Sequence, residues 1–162
     1  METVIFRRSL RCGMTSVSES KVERQERIQP PQTNNYGNAH GGELVKIMDE
    51  VAAISAMKVA SNRCVTARIS EVEFHNPVRE GDVVNFEAFV YKTGRTSLEV
   101  YVRVHSERPM DDSDDNVEQT TSALFTMVAI DENGNPVETE DVTIETEGCN
   151  EMCDLIPTEL KN

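Results

Sequence analysis

Apolar positions recur at two different periods along this chain, and the change of period divides it. From Gly42 to Ala60 nearly every residue is apolar or small, broken only by Glu43, Lys46, Asp49, Glu50, Ser55 and Lys58. That pattern predicts one helix of roughly 28 Å at 1.5 Å rise per residue, closed by Ser61 and Asn62. From Cys64 onward the period is two. CVTARISEVEF carries Val65, Ala67 and Ile69 on one parity, then Val72 and Phe74 on the other, which predicts a bulge or sharp bend near Glu71. Pro77 and the run Arg79-Glu80-Gly81-Asp82 mark a turn. DVVNFEAFVYK places Val84, Phe86, Ala88 and Val90 on one face, and Gly94 turns the chain into TSLEVYVRVHS. There Leu98, Val100, Val102 and Val104 alternate with Glu99, Tyr101, Arg103 and His105, the cleanest strand pattern in the sequence. TTSALFTMVAI is the last strand, stopped by DENGNP.

Upstream of the helix, Lys21 to Gln29 predicts a first strand that Pro30 and Pro31 end. QTNNYGNAHGG, rich in Asn and Gly, predicts a loop with left-handed residues. Ser16 to Ser20 is polar and reads as flexible. SERPMDDSDDNVEQ, from Ser106 to Gln119, reads as a long acidic loop, and beyond Glu138 the chain is acidic and thinly apolar. The expected organisation is a flexible segment over 1–20, one domain over 21–137 and an acidic tail over 138–162. Strand, helix, then four strands in a row predicts an α+β architecture, an antiparallel sheet wrapped round one long central helix.

Wound as a wheel, the helix has three faces. Glu43, Lys46 and Glu50 form a narrow solvent stripe. Leu44, Ile47, Met48, Val51, Ile54 and Ser55 form the bulky face that should fill the sheet. Gly42, Asp49, Ala53, Ala56 and Ala60 line a third face of small side chains with one carboxylate among them. Small residues there let a second chain or an extended ligand approach the backbone. The Gly41-Gly42 pair at the helix start offers unpaired N–H groups at the positive end of the dipole. A carboxylate and a backbone donor on one face are able to flank a reacting carbonyl.

Composition narrows the field. The 162 residues are 38% hydrophobic and carry a net charge of −13. Residues 106–162 hold 16 of the 29 acidic side chains and two of the 16 basic ones, so the acidity belongs to the last third. No basic face for nucleic acid is evident. No charge-free apolar run of about 18 residues exists, so no membrane span is expected. Cys12, Cys64, Cys149 and Cys153 are too few for a disulfide framework and read as free thiols of a reducing cytoplasm. Cys149 and Cys153 are spaced as half of a metal site, with nothing nearby to complete it. His40, His75 and His105 are scattered over loops and a strand, and no metal set is expected. The start, METVIFRRSLRCGM, lacks the apolar segment of a signal peptide, and Met14 is an alternative initiator to Met1.

Five segments together resemble the hotdog-fold acyl-CoA thioesterases, the family of the cytosolic acyl-CoA hydrolases and their bacterial short-chain relatives. They are TNNYGNAHGG (Thr33 to Gly42), LVKIMDEVAAISA (Leu44 to Ala56), VTARISEVEFHNPVREGD (Val65 to Asp82), GRTSLEV (Gly94 to Val100) and ALFTMVAID (Ala123 to Asp131). They occur in family order over residues 30–135. The resemblance implies a fatty acyl-CoA hydrolase that needs no cofactor and acts as a dimer with active sites at the subunit interface, commonly three dimers to a hexamer. It implies Asp49 as general base or nucleophile, Asn34 as a positioning group contributed by the opposite subunit, and the Gly42 N–H as the polariser of the thioester carbonyl. It also implies substrate contacts at His40, Gly41 and Thr66 and along Gly94, Arg95, Thr96 and Ser97, with Arg95 on the phosphates of CoA. The acidic loop and tail have no counterpart in the family pattern. A non-catalytic acyl-CoA sensor is the alternative, although the residues before Pro30 supply no helix-turn-helix. A hotdog dehydratase would want a His in the helix, which has none.

Overall fold

The computed structural model describes residues 15–110, 116–139 and 141–143. Cys12, Met14, Cys149, Cys153, residues 111–115 of the acidic loop and most of the tail lie outside the described residues. In chain order the elements are β1 (Thr15–Ser16), α1 (Val17–Ser20), β2 (Val22–Arg27), a 3-10 turn (Pro30–Gln32), α2 (Gly41–Ala60), β3 (Arg63–Phe74), β4 (Val83–Thr93), β5 (Ser97–Glu107), β6 (Val117–Ile130) and β7 (Val142–Thr143). β2 to β6 form one antiparallel sheet in the order β2-β4-β5-β6-β3. α2 leaves the β2 edge, crosses one face of the sheet and returns the chain at the β3 edge. This is the α+β arrangement the periodicity predicts, an antiparallel sheet curled on one long helix.

The alternation in β4 and β5 sets the core. Val84, Phe86, Ala88 and Val90 and, opposite them, Leu98, Val100, Val102 and Val104 are all buried against α2. α2 meets them with Leu44, Ile47, Met48, Val51 and Val59. Three positions depart from the wheel. Ile54, expected on the bulky face, is 44% exposed, while Ala56 and Ala60 are buried. The concave sheet reaches round toward the alanines, so the buried arc is rotated from where bulk alone would put it. α2 ends at Ser61, whose left-handed φ of 52° lets its N–H donate to the Met57 carbonyl. Near Glu71 the register of β3 on β6 breaks, and Glu71 itself has a φ of 50°. This is the bend the parity switch predicts.

The domain is larger than the sequence pattern suggests. Ser16–Ser20, expected as flexible, is folded: Val17 and Ser20 are buried. The Ser20 hydroxyl accepts from the Val90 N–H at 2.9 Å, and the Ser20 carbonyl accepts from the Ser55 hydroxyl at 2.8 Å. One serine thus ties α1 to the sheet and to α2. Val17 joins Phe89, Tyr101 and Leu124 in a second small core on the sheet face away from α2, with Phe89 and Tyr101 edge-to-face at 5.7 Å. β5 and β6 also run further into the acidic loop than expected, pairing out to Glu107 and Val117. Past residue 137 the chain continues over the domain, and β7 pairs in parallel with β1.

β3 is the exception to good packing. It is the sheet edge, and Val65, Ile69, Val72 and Phe74 remain 37% to 55% exposed. Ile54 and Met57 of α2 are exposed as well. This twelve-residue edge strand keeps that apolar surface open beside its charged side chains and the register break near Glu71. Among the described residues no helix is long and apolar enough to cross a membrane.

Candidate active site

Asp49 lies on the open side of α2 and is half-buried. Its one hydrogen-bond partner among the described residues is Thr66, whose hydroxyl donates to Oδ1. Thr66 also lies 3.5 Å from the Met127 sulfur. The sequence reading places Thr66 on the substrate; the structure places its side chain on the carboxylate. One Asp49 oxygen is thereby oriented and the other left open. The spacing of 17 residues spans a helix and a strand, so no single-element periodicity signals the pair.

Seven residues toward the N-terminus of the helix, about 10 Å at 1.5 Å per residue, is Gly42. The N–H groups of Glu43 and Leu44 both return to the His40 carbonyl. Those of Gly41 and Gly42 have no acceptor among the described residues. A Cβ at Gly42 would meet nothing within 4 Å, so this end of the helix is open on the Asp49 side. Gly41 is tight instead: a Cβ there would come 3.0 Å from the Phe74 ring. His40 is exposed, makes no side-chain cap, and is fixed through its N–H to the Gln32 carbonyl at 2.9 Å. A cavity of about 430 Å³ opens here, between Ala39, Gly41 and Leu44 on one side and Phe74, Asn76 and Val78 on the other.

Asn34 makes its bonds inside its own loop, not to Asp49. Its side-chain oxygen accepts from the N–H of Tyr36 at 2.9 Å and of Asn38 at 3.2 Å. Gly37, at a φ of 77°, permits the reversal. The loop is pinned to the Val78–Asp82 turn by Ala39 N–H to Val78 O and Glu80 N–H to Gly37 O, at 2.8 and 3.0 Å. Asn34 is therefore a fixed residue whose amide nitrogen is the group left for a substrate or a neighbouring subunit.

The turn Gly94–Ser97 joins β4 to β5. Register relates it to the carboxylate: Thr66 pairs with Met127, and Met127 with Leu98. Thr66 and Leu98 thus share a row of the sheet two strand spacings apart, roughly 10 Å, with the turn starting one residue beyond. Arg95 is exposed and makes no ion pair among the described residues.

The other nucleophile candidates stand elsewhere. Burial pushes the Cys64 thiol up to about 11, which keeps it protonated and weakly nucleophilic at neutral pH. His75 lies 3.4 Å from Glu73. His105 projects on the far face of the sheet beside Asn85, Glu87 and Arg103. Burial and then Arg103 lower its pKa, partly offset by Glu87.

The sequence profile of the thioesterase superfamily matches residues 36–112. The chain is 37% identical to an uncharacterized acyl-CoA thioester hydrolase of Bacillus subtilis, over 80% of this chain and 73% of that one. It is 31% identical to the cytosolic acyl coenzyme A thioester hydrolase of the rat, covering 82% of this chain but about a third of that longer protein, 34%. The fold is similar to that of an apo-hexameric acyl-CoA thioesterase, with a TM-score of 0.78 and 40% identity over 83% of this chain and 84% of that one. It is also similar to an acyl-CoA hydrolase of Staphylococcus aureus solved with butyryl coenzyme A and coenzyme A. There the TM-score is 0.76, with 34% identity over 82% and 79% of the two chains. That enzyme has also been solved with an asparagine, an aspartate and a threonine each replaced by alanine. Those three positions are 15 and 17 residues apart, as Asn34, Asp49 and Thr66 are here.

Proposed function

The chain belongs to the thioesterase superfamily, and from that premise we propose that it hydrolyses the thioester of fatty acyl-CoA to the free acid and CoA. The observation that carries the reading is the Asp49 carboxylate, oriented by Thr66 on the same open helix face as the unpaired Gly42 N–H. Asp49 takes a proton from water as that water attacks the carbonyl carbon, or attacks the carbon itself to form an acyl anhydride that water then hydrolyses to the free acid. The Gly42 N–H, at the positive end of α2, stabilises the oxyanion that forms. The C–S bond then breaks, and the CoA thiolate leaves and is protonated. Thiolate is a good enough leaving group that neither a Ser or Cys nucleophile nor a cofactor is needed.

Self-association completes the site. The open edge of β3, with Val65, Ile69 and Phe74, is the surface assigned to a second copy of this chain, extending the sheet across a dimer. That pairing brings the Asn34 amide of one subunit toward Asp49 of the other, and three such dimers make the assembly. A cytoplasmic place accords with the free thiol of Cys64, the cysteine among the described residues.

Thiol release from acyl-CoAs of C2 to C18 tests the function. Turnover of at least one chain length is expected. Stoichiometric binding without turnover at any length would assign the protein to acyl-CoA sensing instead.

Thr66 is a positioning residue in this scheme. Thr66→Val, which keeps the shape and removes the donor, is expected to lower kcat about tenfold, on the order of one charge-assisted hydrogen bond, with KM little changed. Thr66→Ser should restore most of it. Equal loss in both variants would contradict a role for the hydroxyl.

A further inference from the structure

A hairpin turn at the surface ordinarily leaves its carbonyls to water. In the Gly94–Ser97 turn every one has a protein donor. The Ser97 carbonyl accepts from Gly94 N–H at 2.8 Å, within the turn, and the Thr96 carbonyl from Ala129 N–H at 3.0 Å. The other two belong to a single residue far along the chain. Thr139 N–H donates to the Arg95 carbonyl at 2.9 Å, and the Thr139 hydroxyl donates to the Gly94 carbonyl at 2.8 Å.

Thr139 is itself held on both sides. Before it, Val137 N–H donates to the Ala129 carbonyl at 2.9 Å. After it, Val142 N–H donates to the Thr93 hydroxyl at 3.2 Å, and the Val142 side chain packs against both apolar cores. The chain here crosses the turn as a strap, anchored at each side and bonded to the turn in the middle. These residues lie outside the 36–112 span that carries the superfamily signature.

What the strap fixes is the backbone of Arg95, while the guanidinium stays exposed and without an ion pair. An arginine on a mobile turn loses backbone as well as side-chain freedom when it binds an anion. On a turn whose carbonyls are all engaged, only the side-chain part remains to be lost. We propose that Thr139 is a positioning residue for substrate binding. It holds the Gly94–Ser97 turn so that Arg95 is presented, already ordered, to the phosphates of CoA. The inference rests on the reading of the site as an acyl-CoA hydrolase and of Arg95 as its phosphate contact.

Two substrates and a mutant cycle test it. Acyl-CoA carries the phosphates; the same acyl group on N-acetylcysteamine carries the thioester without them. Thr139→Val is expected to raise KM for acyl-CoA about three- to tenfold, the scale of one hydrogen bond. The value of kcat, and both parameters for the truncated thioester, should stay as in the unmodified chain. Thr139→Ser, which keeps the hydroxyl, should rescue KM. Arg95→Ala should raise KM for acyl-CoA at least as much, and adding Thr139→Val to it should do nothing further, because one acts through the other. A KM that rises in Arg95→Ala but not in Thr139→Val overturns the strap and leaves the phosphate contact standing. So does a Thr139→Val effect that is equal on both substrates or undiminished beside Arg95→Ala. No change in KM for Arg95→Ala overturns the phosphate contact and the strap with it.

Discussion

Asp49→Ala is expected to fold as the unmodified chain does and to lose hydrolysis by about a thousandfold in kcat, the middle of the range for a positioned acid or base. The fold should survive because little depends on this carboxylate. Its one partner among the described residues is the Thr66 hydroxyl, α2 is held by nine buried residues, and alanine is the better helix former by several tenths of a kcal/mol. Acyl-CoA affinity should change only a few-fold, since the groups assigned to the nucleotide end lie near the β4–β5 turn. Asp49→Asn separates charge from shape. It keeps an oxygen to accept from Thr66 but has no charge with which to take a proton or attack carbon, and the same collapse is expected. Burst and steady-state thiol release, with a thermal melt alongside, check both variants. An Asp49→Asn enzyme with near-normal turnover would remove Asp49 from the chemistry.

The parts of this molecule visible in its sequence are those held by local periodicity. The alternation in β4 and β5 is visible because each strand packs one face on α2 and the other face is mostly polar. The bend at Glu71 is visible because a change of parity has few structural solutions. Asp49 stands out because a carboxylate on a small-residue face of a helix is unusual, and the two glycines before it mark the helix start. What is not legible is whatever depends on distant pairs. The Val17, Phe89, Tyr101 and Leu124 core needs a four-residue helix, too short to have a period of its own, lying over the far side of the sheet. Thr139 bonds to a carbonyl 45 residues away, and backbone acceptors leave no mark on sequence. Thr66 is legible as a strand residue and not as the partner of Asp49. β3 reads as an ordinary half-buried strand, yet its apolar side chains stay 37% to 55% exposed among the described residues. The pattern records that a face will be buried but not by which chain.

The central claim is that Asn34 and Asp49 form one working site only across two subunits. Asn34→Ala and Asp49→Ala, each prepared alone, should both be close to inactive. In an equal co-expressed mixture, random pairing makes about one site in four complete, since the proposed two-fold interface joins the Asn34 of one chain to the Asp49 of the other. Acyl-CoA hydrolysis at about a quarter of the unmodified rate, from two chains that are each inactive, is the result this account predicts. Activity that stays at the level of the separate variants, in assemblies shown to contain both chains, would contradict it.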